Sequence, residues 1–271
     1  MSKAASILDK IRGSMIGAVI GDCLGKFRHD MITNLFQLFK NYSSNLGSPV
    51  ECQYWDGIPL IPKCVKHFQK YQDSDPNHTK FEYTDDTAMA RQVADSIITM
   101  KNVDSKDMAQ RFVKEYFNEP GRGYGASVAD VFKKLRKTEC SDPFGPASEQ
   151  FNGSGSYGNG AAMRVHPVGL FCYEKSNESL VENVKKSAKV THYHPDAVNG
   201  AIIQAAAVKY ALEGSYENMG KKLIDLSKTF DKPSDADDLS YTEKLELIDK
   251  CVSNPYEPDL LITKLGNDVS A

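Results

Sequence analysis

The absences in this sequence narrow it before any motif is read. Its six cysteines (Cys23, Cys52, Cys64, Cys140, Cys172 and Cys251) form no CxxC pair, so they read as thiols in a reducing compartment rather than as a zinc site or a disulfide frame. No apolar run approaches the roughly 20 residues that a membrane-spanning helix needs. The first stretch, MSKAASILDKIRGSMIGAVIGD, has its apolar part cut by Asp9, Lys10 and Arg12, which argues against a signal peptide. The formal net charge is −3, and Lys and Arg are scattered rather than striped, so there is no electrostatic footprint of direct DNA binding. Cytoplasm, nucleus and mitochondrial matrix all fit these absences. No run alternates apolar and polar residues with period two, and no solenoid period recurs, which sets aside sheets and repeats.

What remains is helical pattern over 271 residues, enough for one large core or two small ones. Residues 2–24 read as one helix with Ile7, Ile11, Met15, Ile16, Val19 and Ile20 on a broad apolar face. Gly13, Gly17, Gly21 and Gly25 recur on one side of it, a spacing that would let another backbone approach closely. Further helices are expected at 104–117, 126–136, 161–172, 178–190, 195–212, 215–230, 241–252 and 257–265, giving an all-α fold.

The stretch that organises the chain is Tyr83-Thr84-Asp85-Asp86-Thr87, opening into a helix whose Met89, Val93 and Ile97 form an apolar stripe. Thr84 or Asp85 is a natural N-cap. Two adjacent carboxylates between two threonines exceed what capping needs. Their repulsion falls if a cation sits between them, and oxygen donors suit a hard ion such as Mg²⁺, Ca²⁺ or Mn²⁺. The plainer reading is an acidic first turn that complements the helix dipole.

A second stretch, residues 151–160, has glycine at 153, 155, 158 and 160 ahead of an apolar segment. Such a loop can cradle a diphosphate with its backbone N–H groups, and Phe151 and Tyr157 can stack on a base or ribose. It is neither a Walker A loop nor a Rossmann fingerprint, and a surface linker is the plainer alternative. In Thr191-His192-Tyr193-His194-Pro195 the histidines have a spacing that can ligate metal, but hydrogen bonding at a helix junction is the stronger expectation. Glu51, taken alone, is an ordinary exposed loop residue.

In combination these pieces are specific. Arg12-Gly-Ser-Met-Ile-Gly-Ala-Val-Ile-Gly-Asp-Cys-Leu-Gly25, Tyr83-Thr-Asp-Asp-Thr-Ala-Met-Ala-Arg91, Gly123-Tyr-Gly-Ala126, the 151–160 loop, Ala162-Met-Arg-Val165, and Thr191-His192 with Asn199-Gly-Ala-Ile202 follow in order. Over nearly its whole length the chain resembles the ADP-ribosylglycohydrolase family, in its ADP-ribosyl-serine hydrolase branch. The resemblance implies a compact orthogonal all-α domain over 1–271 that binds two Mg²⁺ ions beside ADP-ribose. It also implies removal of ADP-ribose from serine on proteins and hydrolysis of poly(ADP-ribose) and O-acetyl-ADP-ribose by a monomer. By motif, Glu51, Thr84, Asp85 and Asp86 correspond to metal ligands, and Glu51 and Asp85 to catalytic residues. Asp85, Phe151, Ser154, Gly155, Ser156, Tyr157, Gly158, Asn159, Gly160, His192 and Val269 correspond to substrate contacts. Two rival readings are a non-catalytic ADP-ribose-binding relative and a crystallin-like structural protein.

Two departures from the family pattern stand out. The family's Glu follows its Gly-Asp-Cys-x-Gly after four residues, where this chain has His29. Removing 26–47 restores Gly-Asp-Cys-Leu-Gly-Ser-Pro-Val-Glu and puts Glu51 in register. An inserted segment, from a retained intron or gene-model error, is therefore expected, and sequencing the transcript tests it. The second departure is the lack of a Gly-Gly-Asp-Thr-Asp-Thr motif, which in the family supplies the other metal ligands. The expectation is a domain incomplete at its C-terminal end and weakly active or inactive.

Overall fold

A computed structural model describes residues 6–22, 82–215, 217–232 and 239–253. The chain divides into two compact units, one formed by Met1–Val19 with Thr84–Ala271 and the other by Ile20–Tyr83. The fold set out below is that of the first unit. The expected insertion at 26–47, Glu51, Val269 and the expected helix at 257–265 lie outside the described residues.

Every regular element among the described residues is helical, and none of these helices is long and apolar enough to cross a membrane. The first, α1, spans residues 7–22. Ser6 and Asp9 close its start reciprocally: Ser6 Oγ accepts from Asp9 N–H at 3.2 Å and Asp9 Oδ2 accepts from Ser6 N–H at 3.2 Å. Among the described residues no close approach is found at Gly13, Gly17 or Gly21. A Cβ built on Gly13, Gly17 or Gly21 would meet nothing within 4 Å, and Ile16 and Ile20 are exposed. Glycine spacing permits a close crossing, but a partner must supply the apolar area that drives it.

Helix α2, Asp85–Met100, begins where Thr84 accepts the Asp86 N–H at 3.2 Å and ends at Lys101, in the left-handed region at φ 54°. Its buried face contains the expected Met89, Val93 and Ile97. Helix α3, Ser105–Asn118, is capped by Asp104, which accepts from Asp107 N–H at 2.8 Å. A charged clamp joins the two helices. Glu115 is buried and accepts from Arg91 Nη2 through both oxygens, at 2.9 and 3.0 Å, and from Gln92 Nε2 at 2.7 Å. Helix α4, Ala126–Lys137, adds Val131, Phe132 and Leu135 to the core. The single turn α5, Gly145–Ser148, lies within the irregular stretch that precedes the glycine loop.

The helix expected at 161–172 is broken. A 3-10 turn covers Asn159–Ala161, and α6, His166–Phe171, starts afresh with Pro167 in its first turn. Proline has no N–H for a helix interior but is tolerated at a start, so Pro167 sets the break. Helices α7, Asn177–Ala188, α8, Pro195–Leu212, α9, Met219–Ser227, and α10, Tyr241–Ser253, complete the set. Helix α8 is the axle, packed against α6, α7 and α9. Its alanines allow close contact: a Cβ on Gly169 of α6 would lie 2.5 Å from the Ala205 carbonyl oxygen. The core around it includes fully buried Phe112, Phe132, Leu180, Val184 and Ile202, each worth about 1.5–3 kcal/mol of transfer free energy. Cys140 and Cys172 are buried free thiols.

Candidate functional site

The start of α2 is the acidic pole of the site. Asp85 and Asp86 occupy the first turn, half-buried, and Asp85 N–H donates to the Arg122 carbonyl at 2.8 Å. That bond draws in the turn Gly121–Gly125. Gly123 has φ +91°, and a Cβ there would lie 3.6 Å from Asp85 Oδ1. The next residue, Tyr124, is fixed by edge contacts to Tyr116 at 5.1 Å and Phe132 at 6.0 Å. Its hydroxyl has no hydrogen-bond partner among the described residues. Burial first, then the Glu115 and Asp85 charges, pushes this phenol well above its usual range. It is a permanent hydroxyl beside a carboxylate.

The glycine loop is the other pole, shaped by strained backbone and close approach. Phe151 and Asn152 both have positive φ, 51° and 58°, a conformation that disfavours side chains with a Cβ. Phe151 and Tyr157 are exposed, with ring centroids 6.1 Å apart and planes tilted 40°. Ser154 is exposed and its Oγ donates to the Phe151 carbonyl at 2.9 Å. Ser156 is buried and accepts from Gly158 N–H at 3.3 Å. Gly155 has φ +78°, and a Cβ there would fall 2.6 Å from His194 N. A Cβ on Gly160 would fall 2.6 Å from His192 Cε1. Asn159, exposed, opens the 3-10 turn and accepts from Met163 N–H at 3.1 Å. The loop therefore lies directly on Thr191–His194, and two of its glycines are there because no side chain fits.

The two histidines do separate jobs. His192 is buried, with Nδ1 2.8 Å from Thr191 Oγ1. Burial, aided by the positive Arg164, lowers its pKa to about 3, so the ring is neutral at physiological pH. His194 caps α8, its Nδ1 accepting from Asp196 N–H at 3.2 Å, and its ring meets Tyr157 edge-on at 6.1 Å.

Arg164 connects the poles. It is 1% exposed, donating from Nη1 to the Gly160 carbonyl at 2.6 Å and from Nη2 to the Ser187 carbonyl at 3.1 Å. Its guanidinium lies 4.8 Å from the Phe112 ring centre. Burial pulls its pKa to about 9 while the Asp85 carboxylate pushes back, so it remains a cation at neutral pH. The acidic helix start and the glycine loop thus share one buried positive charge.

Of the residues singled out from sequence, the 151–160 loop and His192 are brought together beside Arg164, whose charge is felt by Asp85 at the start of α2. Thr84 and Asp86 flank Asp85, while Glu51 and Val269 lie outside the described residues. Among the described residues no three His, Cys, Asp or Glu side chains converge as a metal cage. Arg164 and Tyr124 were given no role from sequence. The available signal for Arg164 was a single cation between Met163 and Val165, since an isolated charge in an apolar run must find partners inside.

The chain matches the ADP-ribosylglycohydrolase family over residues 3–269. It is 36% identical to ADP-ribosylhydrolase ARH3 of Homo sapiens, across 99% of this chain and 71% of that protein. Against ADP-ribosylhydrolase ARH3 of Gallus gallus it is 38% identical, across 97% of this chain and 70% of that one. Among solved structures, an ADP-ribosylglycohydrolase-related protein complex aligns with a TM-score of 0.41 and 20% identity, covering 69% of this chain and 51% of that chain.

Proposed function

Since this chain belongs to the ADP-ribosylglycohydrolase family, an enzyme family of ADP-ribosylhydrolases, we propose that it is a Mg²⁺-dependent hydrolase of O-linked ADP-ribose. Its substrates in this reading are serine-linked ADP-ribose on proteins, poly(ADP-ribose) and O-acetyl-ADP-ribose, met by a monomer in the cytoplasm, nucleus or mitochondrial matrix. The observation that carries the reading is Arg164: one buried cation, hydrogen-bonded to the Gly160 carbonyl and close enough to feel the Asp85 charge, underlies a glycine loop fronted by two exposed aromatics.

Each part has a task that its chemistry suits. Phe151 and Tyr157 offer ring faces to the adenosine end. The loop from Ser154 to Gly160 offers backbone N–H groups to the diphosphate, with Arg164 beneath it adding positive potential. His192, neutral, exchanges a hydrogen bond with the ribose rather than a charge. Holding the diphosphate and adenosine fixes the anomeric carbon near Asp85, which converts binding into orientation. Breaking the anomeric C–O bond develops oxocarbenium character, and a carboxylate beside it is stabilising. Glu51 would assist protonation of the leaving oxygen or gate the metal site, and Val269 would line the substrate.

The hydroxyl of Thr84 and the carboxylates of Asp85 and Asp86 are adjacent hard-oxygen donors, which fits Mg²⁺; Glu51 would add a fourth. When bound, such an ion orients ribose hydroxyls and lowers the pKa of a bound water. The test is an ADP-ribose titration with and without Mg²⁺, run beside a hydrolysis assay on a serine-ADP-ribosylated peptide. Metal-dependent binding with turnover, slow at most, is the supporting result. Binding without turnover would favour a non-catalytic relative, and loss of both would overturn the reading.

A further inference from the structure

Phe151 has a second neighbourhood. Besides facing Tyr157, its ring lines a cavity of about 470 Å³ with Ser127, Asp130, Lys133, Lys134 and Gln150. Ser127, Asp130 and Lys134 recur at i, i+3 and i+7, so one face of α4 forms a wall of this groove. Gln150 is pinned by its Nε2 donating to the Ser127 carbonyl at 3.1 Å, which leaves its buried Oε1 without a hydrogen-bond partner among the described residues. That hydrogen bond fixes the Gln150 side chain as a rigid part of the groove wall. Among the described residues Lys133 and Lys134, both exposed, pair with surface carboxylates, Asp130 at 2.9 Å and Glu149 at 2.7 Å. Exposed pairs of this kind are weak and exchange readily for a more highly charged anion.

We propose that this groove is a second anionic subsite, taking the pyrophosphate and ribose of the neighbouring repeat when the substrate is a polymer of ADP-ribose. The assignment rests on the adenosine-stacking role of Phe151 given above. Continuity supplies the argument: the aromatic ring that faces the first unit is also a wall of the groove. A chain continuing from the adenosine ribose then passes two ammonium groups. Lys133 and Lys134 become specificity-determining residues, acting on polymer and not on a single ADP-ribose.

Equilibrium binding of the full chain to ADP-ribose and to poly(ADP-ribose) of defined length decides it. The double variant Lys133→Gln/Lys134→Gln should weaken polymer binding five- to tenfold and flatten its salt dependence, leaving ADP-ribose within twofold. The converse variant Asp130→Asn/Glu149→Gln should tighten polymer only. Equal loss on both ligands, or no change on either, overturns the subsite. If the wild-type chain binds ADP-ribose but binds polymer no more tightly, the subsite fails and the main site stands. If it binds neither, both fall.

Discussion

Single residues carry unusual weight here because two of them are polar groups inside an apolar frame. Arg164 is stabilised by two carbonyls, a ring and the Asp85 charge, so deleting it leaves acceptors unpaired as well as a cavity. Arg164→Ala is expected to cost about 3 kcal/mol in urea denaturation. Arg164→Lys, which keeps the charge but loses the fork, should recover part of that. A variant at wild-type stability would show that the cation is not the tie between the two poles. Tyr124 presents the opposite case. Its hydroxyl is buried within the field of two carboxylates and has no hydrogen-bond partner among the described residues, so Tyr124→Phe removes a desolvated group and keeps the aromatic contacts. The variant should match the wild type or gain about 1 kcal/mol. A clear loss in melting temperature would show that the hydroxyl has a partner after all. An accompanying loss of ADP-ribose affinity would place that partner on the ligand.

At the scale of elements, the glycine loop separates two reasons for glycine. Gly153 has φ +92° with open space where a Cβ would stand, whereas Gly155 has φ +78° with the His194 backbone 2.6 Å away. Gly153→Ala should therefore cost only the backbone term, roughly 1–2 kcal/mol. Gly155→Ala adds an overpacking cost of about 1–3 kcal/mol and must displace the loop, lowering ADP-ribose affinity at least tenfold where Gly153→Ala does not. Calorimetric titration of both variants measures the difference. The same contrast explains what could be read from the chain beforehand. Helix α2 was legible because its cap, acidic turn and apolar stripe are local, as was Asp104 at the start of α3. The loop's glycines were legible as a cluster, but not the assignment of Gly155 and Gly160 to the histidine segment, since that depends on residues more than 30 positions away. The α1 glycines were legible only as a spacing: it permits a crossing, and among the described residues nothing meets Gly13, Gly17 or Gly21. Arg164 was legible as a character in a motif, not as the residue that joins two of them.

The whole molecule couples its site to its stability through histidine. His166 opens α6 from inside the core, and His192 lies beneath the loop. Burial lowers the pKa of both, that of His192 to about 3. In the unfolded chain each returns to about 6.5. Between those values the unfolded state binds more protons than the folded state, so folding stability rises with pH across the window. For His192 stability is thus fully present above the unfolded value and is lost as pH falls from about 6.5 toward 3, at up to about 1.4 kcal/mol per pH unit, and His166 adds to the loss in the same direction. Carboxylates titrate only in the lower part of that window, so the interval from pH 6.5 to 5 isolates the histidines. Denaturation midpoints at pH 7, 6 and 5 should fall steadily, and His192→Gln should flatten the trend although it lowers stability at pH 7. Because protonating His192 also places a second cation next to Arg164, directly under Gly160, acid should loosen the loop before the helices. ADP-ribose affinity is then expected to drop at a higher pH than helical circular dichroism does. Coincident transitions would mean that loop and core open as one unit, and an affinity that stays flat down to about pH 3 while the helices persist would remove His192 from the site.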